Sequence, residues 1–210
     1  MIIAVNSSDK INQPVLMRAM FQLRAEVFHE RLGWDVSVKD GLEIDRFDDE
    51  EPLYLLCLDE YSRLKGCLRL LPTTGPNMLR NVFGVLMPPG EYIESPLIWE
   101  STRFCVSKEA MSERSSTLVN RTTAELLSGL FEYAQIAGLS QIISVYDGMM
   151  KRILDRAGCY AEIIGQPQRI GKVMTYAGLF EVSDAMIARI QTAGGFTGSV
   201  LSPEIRRLAA

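Results

Sequence analysis

The sequence predicts a single α/β domain over residues 1–210, with a mixed central β-sheet flanked by helices on both faces. Three observations lead there. Short apolar runs of β-forming character interleave with segments of helical periodicity along the whole chain, which is the pattern of a sheet covered by helices. No Pro-, Gly- or Ser-rich linker divides it. A chain of 210 residues buries roughly 70% of the surface that its unfolded form exposes, enough for one substantial core.

The elements follow in order. "MIIAV" is a first strand. "NQPVLMRAMFQLRAEVFHERLG", residues 12–33, is a helix with Asn12 near its N-cap, Pro14 in its first turn and Gly33 at its end. Leu16, Met20, Leu23 and Val27 recur at helical spacing and face the core. "LYLLCLD" and "LKGCLRLLP" are two strands joined through "EYSR" as an antiparallel hairpin, and "IWESTRFCV" is another strand, with Pro96 before it. The longest helix candidate is "STLVNRTTAELLSGLFEYAQIAGL", closed by Gly138. The strand "QIISVY", a helix at "GMMKRILDRAG", strands near "AEIIG" and "KVMTYAGLFEV", and a helix at "SDAMIARIQTAGG" complete the chain.

The formal charge is −4, and residues 40–51 alone hold seven carboxylates against Arg46, which leaves the remainder slightly positive. That balance offers no broad basic surface for nucleic acid. No apolar run approaches the ~20 residues that span a bilayer. "MIIAVNSSDK" has neither the basic start nor the apolar core of a signal peptide, so a cytoplasmic location without membrane insertion is expected. Cys57, Cys67, Cys105 and Cys159 are widely spaced, mostly inside apolar runs, and read as buried free thiols.

Absences narrow the chemistry. His29 is the one histidine and lies within a helix, so Ser–His–Asp or Cys–His catalysis would have to be built around it. There is no HExxH, no Cys/His cluster, no Walker loop and no GxGxxG, so no metal site is expected. What remains is a set of charges beside or inside apolar segments: Arg24 in the first helix, Asp45 and Asp48 before a strand, Arg69 in "CLRLL", and Glu100 and Arg103 in "IWESTRF". Along a regular strand Glu100 and Thr102 share one face and Ser101 and Arg103 the other, unless a bulge intervenes. Buried charges need partners, so these residues form either an ion-pair cluster of purely structural use or the wall of a site. Phe28 and Trp34 bracket the helix end that follows Arg24. Flat aromatics beside charges of both signs suit a ligand with a ring and mixed charge, although a plain apolar cap on the helix is the alternative.

Four blocks, "RAEVFHERLGW", "EIDRFDDEEPLYLL", "GCLRLLPTTGPNML" and "WESTRFCV", resemble the signature blocks of the LuxI-type acyl-homoserine-lactone synthases, in that family's order across residues 24–106. The likeness is strongest to the TraI branch of rhizobial and agrobacterial plasmids and continues more weakly through "GMMKRILDRAG". The resemblance implies a fold like that of the GNAT N-acetyltransferases. It also implies a reaction in which the amine of S-adenosylmethionine attacks an acyl thioester, usually on acyl carrier protein, and the lactone then closes with loss of methylthioadenosine. S-adenosylmethionine is a substrate there, and no cofactor is implied.

Carried over by position, the family pattern falls on Arg24, Phe28, Trp34, Asp45, Asp48, Arg69, Glu100 and Arg103, with "TRF" where the family commonly has "SRF". Glu100 is then the expected general base, the backbone around residues 103–106 the oxyanion donor, and the other seven the S-adenosylmethionine site. Phe104, Ser144 and Tyr146 are expected in the acyl-chain pocket. A family threonine linked to 3-oxo chains aligns with Ser144, whose hydroxyl suits a 3-oxygen; the alternative is that Tyr146 narrows the tunnel instead. Lys151, Arg152 and Arg156 form the expected docking patch for an acidic carrier protein, against the plainer reading of a solvated helix face. The rivals are a GNAT-type N-acyltransferase using acyl-CoA and a non-catalytic binding module. Against the first, residues 107–120 read "SKEAMSERSSTLVN" and lack the glycine loop that cradles a pyrophosphate.

Overall fold

The computed structural model describes residues 1–6, 9–112 and 117–206. In chain order the elements are β1 (Ile2–Val5), α1 (Pro14–Arg24), a small hairpin of β2 (Val38–Lys39) and β3 (Leu42–Glu43), β4 (Leu53–Leu58), β5 (Leu64–Pro72), α2 (Met78–Asn81) and β6 (Ile98–Val106). They continue with α3 (Lys108–Ser112), α4 (Arg121–Ile136), β7 (Gln141–Asp147), α5 (Gly148–Arg156), β8 (Glu162–Ile170), β9 (Val173–Glu181), α6 (Asp184–Gly194) and α7 (Pro203–Arg206). Seven strands form one sheet in the order β1-β4-β5-β6-β7-β9-β8. β6 and β7 run parallel, and the other described neighbours in this sheet are antiparallel.

Alternation along the strands explains the two cores. Leu53, Leu55, Cys57, Leu68 and Leu70 point to one face and pack with Leu126, Leu127 and Leu130 of α4 and Ile187 and Ile190 of α6. Tyr54, Leu56 and Cys67 point to the other and pack with Met17, Met20 and Leu23 of α1. Helices therefore cover both faces, as the periodicity predicts. The stripe of α1 faces the core, with Leu16 half-buried at its start. All four cysteines are free and buried.

Three differences from the sequence reading position the site. The helix expected over residues 12–33 is regular only to Arg24. Ala25–Arg31 is π-helical, with the Leu32 amide reaching five residues back to the Val27 carbonyl at 3.0 Å. Such wide turns are rare and recur at functional sites. Its first turn is preceded by Gln13, because Asn12 belongs to a 3-10 turn at Lys10–Asn12. Second, of the helix expected to open at Ser116, that residue lies outside the described ones; α4 starts at Arg121, where the Asn120 side chain accepts the Thr123 amide. Third, β6 carries a bulge. Cys67 pairs with Cys105 and Arg69 with Thr102, so Leu68 lies opposite both Arg103 and Phe104. Arg103 has φ of +54°, a left-handed conformation that residues with a Cβ seldom adopt.

Candidate active site

The bulge determines which side chains meet. Without it, Arg103 would point into the α4 core; with it, Thr102 and Arg103 follow one another onto the face that also holds Glu100 and Arg69. There they join residues from α1, β3 and the 3-10 turn Arg46–Asp49. Asp45 and Asp48 shape that turn: the Asp45 carboxylate accepts the Phe47 amide, and the Asp48 carboxylate accepts the Asp45 amide.

Three arginines and three carboxylates neutralise one another in this network. The fully buried Arg24 donates from Nε to Glu43 and grips both oxygens of Asp48 at 2.8 and 2.9 Å. Arg69, also fully buried, donates to Asp45 at 2.6 and 3.0 Å, to Asp48 at 2.8 Å and to Thr102 Oγ1 at 3.1 Å. Arg103 donates to Glu43 at 3.1 Å and lies 2.6 Å from Asp45. The Tyr54 hydroxyl adds a further donor to Asp48 at 2.7 Å. Bidentate, charge-assisted pairs of this kind are the strong ones. They hold the Asp48 carboxyl well below the usual carboxylate range despite its burial, with the Arg24 and Arg69 guanidiniums and the Tyr54 hydroxyl as the causes.

Glu43 was not singled out in the sequence. It reads as one of seven acids in a polar loop, and only the fold shows it fully buried between Arg24 and Arg103. Its place two residues before Asp45, in the β3 hairpin, is a signal that alternation could have used. Asp49, Glu50 and Glu51, by contrast, are exposed. The acidic run thus divides into a wall of the site and a solvated edge.

Glu100 stands apart from these pairs. It is fully buried, and its two oxygens accept the backbone amides of Met78 and Leu79, at the start of α2, at 2.7 and 2.6 Å. Burial pushes its pKa up from 4.5 to about 7, with the two amides, Arg69 and Arg103 pulling the other way. A carboxyl poised there exchanges a proton near neutral pH.

Aromatics cover one end. Phe28, in the π-helical turn, is stacked on the Trp34 ring, 5.1 Å away, and the Arg103 guanidinium lies 5.3 Å from its centroid. Trp34 remains 40% exposed, so one face of an indole is offered beside the charges.

The remaining expected residues do not join this cluster. Phe104, Ser144 and Tyr146 lie on the opposite face of the sheet, with the α4 core. Phe104 is there because the bulge turns Arg103 the other way. β6–β7 pairing stops at Ser101 and Ser144, although β6 runs on to Val106 and β7 to Asp147. The Ser144 hydroxyl donates to the Ser101 carbonyl at 2.8 Å, so its proton is already engaged. Of the basic trio on α5, Arg152 and Arg156 are exposed, whereas Lys151 is tied to Asp155 at 2.9 Å.

A seven-stranded mixed sheet that parts between β6 and β7, with helices on both faces, is a GNAT-like fold. A chain from Lactobacillus plantarum described as an N-acetyltransferase superposes with a TM-score of 0.58 over 87% of this chain and 99% of that one, at 15% identity. More narrowly, the protein belongs to the autoinducer synthase family, whose model matches residues 8–190. It is 35% identical over 192 residues to the probable acyl-homoserine-lactone synthase of Sinorhizobium fredii, covering 91% of this chain and 92% of that one. It is 40% identical over 166 residues to the acyl-homoserine-lactone synthase of Rhizobium etli, covering 78% and 76%. The solved structure of MesI, a CoA-dependent acyl-homoserine lactone synthase, matches with a TM-score of 0.84 at 26% identity, over 97% of this chain and all of that one. Among the described residues no helix is long and apolar enough to cross a membrane.

Proposed function

We propose that this synthase transfers an acyl group from acyl carrier protein to the amine of S-adenosylmethionine, then closes the homoserine lactone with release of methylthioadenosine. The observation that carries the reading is Glu100: a buried carboxyl with a pKa raised to about 7, on the same face as a neutral arginine–carboxylate network and beside an opening in the sheet.

The chemistry follows from that placement. An ammonium cannot attack a thioester until it loses a proton, and a base with a pKa near the working pH removes it best. Glu100 takes that proton, through a water where its oxygens are held by the α2 amides. The thioester carbonyl lies at the parting of β6 and β7. There the β6 backbone around residues 103–106 has no β7 partner and stabilises the developing oxyanion. S-adenosylmethionine brings a sulfonium, an ammonium and a carboxylate. Asp45 and Arg103, at the more open edge of the network, bind them, while Arg24, Asp48 and Arg69 hold those two in place and Trp34 and Phe28 take the adenine. No cofactor enters the scheme. The acyl chain crosses the opening to the face of Phe104, Ser144 and Tyr146, and the exposed Arg152 and Arg156 receive the acidic carrier protein.

A second donor is favoured by one observation: MesI, similar in fold and sequence, is CoA-dependent. Expression in a host without homoserine-lactone signals, with mass spectrometry of the extract for the shared lactone fragment, tests the reaction. Purified protein supplied with acyl carrier protein or CoA thioesters of one chain then separates the donors. No lactone from either donor, with folded protein, would sink the proposal.

A further inference from the structure

We infer that Asn77, together with Asn81, is a positioning residue for Glu100: it fixes the single-turn helix α2, whose two leading amides hold that carboxyl. This rests on the synthase reading above and adds the residues that aim its base. One turn of helix is not stable by itself, so α2 keeps its direction only through what caps and packs it. Glu100 takes its first two N–H groups, from Met78 and Leu79, at 2.7 and 2.6 Å. Asn77 takes the third: its backbone is extended, and its Oδ1 accepts the Arg80 amide at 2.9 Å.

The cap is reciprocal. The Asn77 amide donates to Asn81 Oδ1 at 3.0 Å, and Asn77 Nδ2 donates to the Gly75 carbonyl at 3.0 Å, so this buried side chain is engaged at both ends. Thr73 closes the loop behind it: its Oγ1 accepts the Ser95 amide at 3.0 Å and donates to the Ile98 carbonyl at 2.8 Å. Met78 packs with Phe47 and Leu71, and Leu79 with Leu86 and Ile143. Those contacts fix where the turn lies, and the cap fixes where its N–H groups point. On its outer side α2 borders a cavity of about 220 Å³ lined by Asn77, Leu79, Arg80 and Tyr92 among others, and no packing there replaces the cap.

Each amide stabilises the ionised carboxyl and offsets part of what burial costs it. The charged groups that also act on Glu100 are Arg69 on β5 and Arg103 on β6, both engaged with Asp45, Asp48 or Glu43. The β7 residue opposite is the apolar Ile143. Arg80 of α2 turns away, 4.1 Å from the Tyr92 ring centroid and 3.1 Å from Glu94. With the two arginines locked in the network, the aim of the α2 amides is the adjustable part of the field at the base.

Asn77→Ala removes the cap and lets the amides tip away from Glu100. The rising limb of the pH–rate profile for methylthioadenosine release then moves up by about one pH unit, the scale of one hydrogen bond to a charged group. Turnover at neutral pH falls about fivefold relative to the alkaline plateau. Asn77→Ser, which restores a capping oxygen, returns the limb toward its wild-type place. A merely structural loss lowers the rate at every pH and leaves the midpoint unmoved. Urea unfolding reads the same titration without turnover: stability falls with rising pH up to about 7 in wild type and up to about 8 in Asn77→Ala. If Asn77→Ala does not fold, Asn81→Ala, at an exposed position, shows the same upward shift to a lesser degree. An unmoved midpoint in the folded variant overturns the assignment, as does an Asn77→Ser midpoint displaced as far as that of Asn77→Ala. Absence of lactone from wild-type protein with every donor counts against the synthase reading itself, and the unfolding measurement still decides the role of Asn77.

Discussion

Replacing Glu100 by Gln changes two pH dependences at once, and they have opposite signs. With its pKa near 7, Glu100 is about half ionised at neutral pH, so the rate of acyl transfer in wild-type protein rises about tenfold per pH unit below that value and levels off above it. Stability runs the other way. The pKa in the folded state is raised from 4.5, so between 4.5 and about 7 the folded protein binds more protons than the unfolded chain. Stability therefore falls across that window as pH rises, by up to about 3 kcal/mol. The Gln variant is neutral throughout and loses both slopes. It retains one of the two contacts with α2 but turns its amide N–H toward the other backbone N–H, which costs about 1–3 kcal/mol. The assay is methylthioadenosine release at saturating substrate across this pH range, paired with urea unfolding at the same pH values. A slope that comes from the substrate amine survives in the variant, whereas one from Glu100 does not. Turnover in Glu100→Gln equal to wild type, or a wild-type stability that does not fall between pH 5 and 7, would refute the reasoning.

Three further outcomes follow from the same geometry. Asp48→Asn leaves Arg24 and Arg69 buried with too little counter-charge; a loss of about 3–5 kcal/mol, or about 10 °C in Tm, is expected by urea and thermal unfolding. Because the Asp48 pKa is lowered in the fold, the stability it provides is present above the ordinary 3.8 and lost on further acidification, so wild-type and variant stabilities should converge in strong acid. Trp34→Ala removes a 40% exposed ring and should raise KM for S-adenosylmethionine about tenfold, the scale of one base–aromatic stack, with Tm nearly unchanged; an unaltered KM would take the adenine elsewhere. Reversing the charge of Arg152 and Arg156 together should raise KM for the carrier-protein donor and flatten its salt dependence, while an acyl-CoA donor responds less. An unchanged KM for the carrier protein would remove α5 as its docking face.

The sequence by itself determined the layered architecture, because apolar alternation and helical periodicity are local properties that survive in the native sheet. β4, β5 and β7 coincide with their apolar runs, and the α1 stripe meets the core it predicts. The sequence also carried the family, since its blocks keep both residue types and order, and with them most of the arginines, acids and aromatics of the site. Only the tertiary structure decided how those residues meet. The bulge opposite Leu68 arises from the register of β5 against β6, and it alone brings Arg103 onto the face of Glu100 while sending Phe104 to the other. Glu43 is distinguished from its acidic neighbours only by the two arginines that close over it. The raised pKa of Glu100 exists because the fold buries it, by more than the two α2 amides and the nearby arginines pull it back down. Ser144 loses its free proton to a carbonyl on a neighbouring strand. Each of these depends on contacts between residues distant in sequence, and composition and spacing along one chain do not encode them locally.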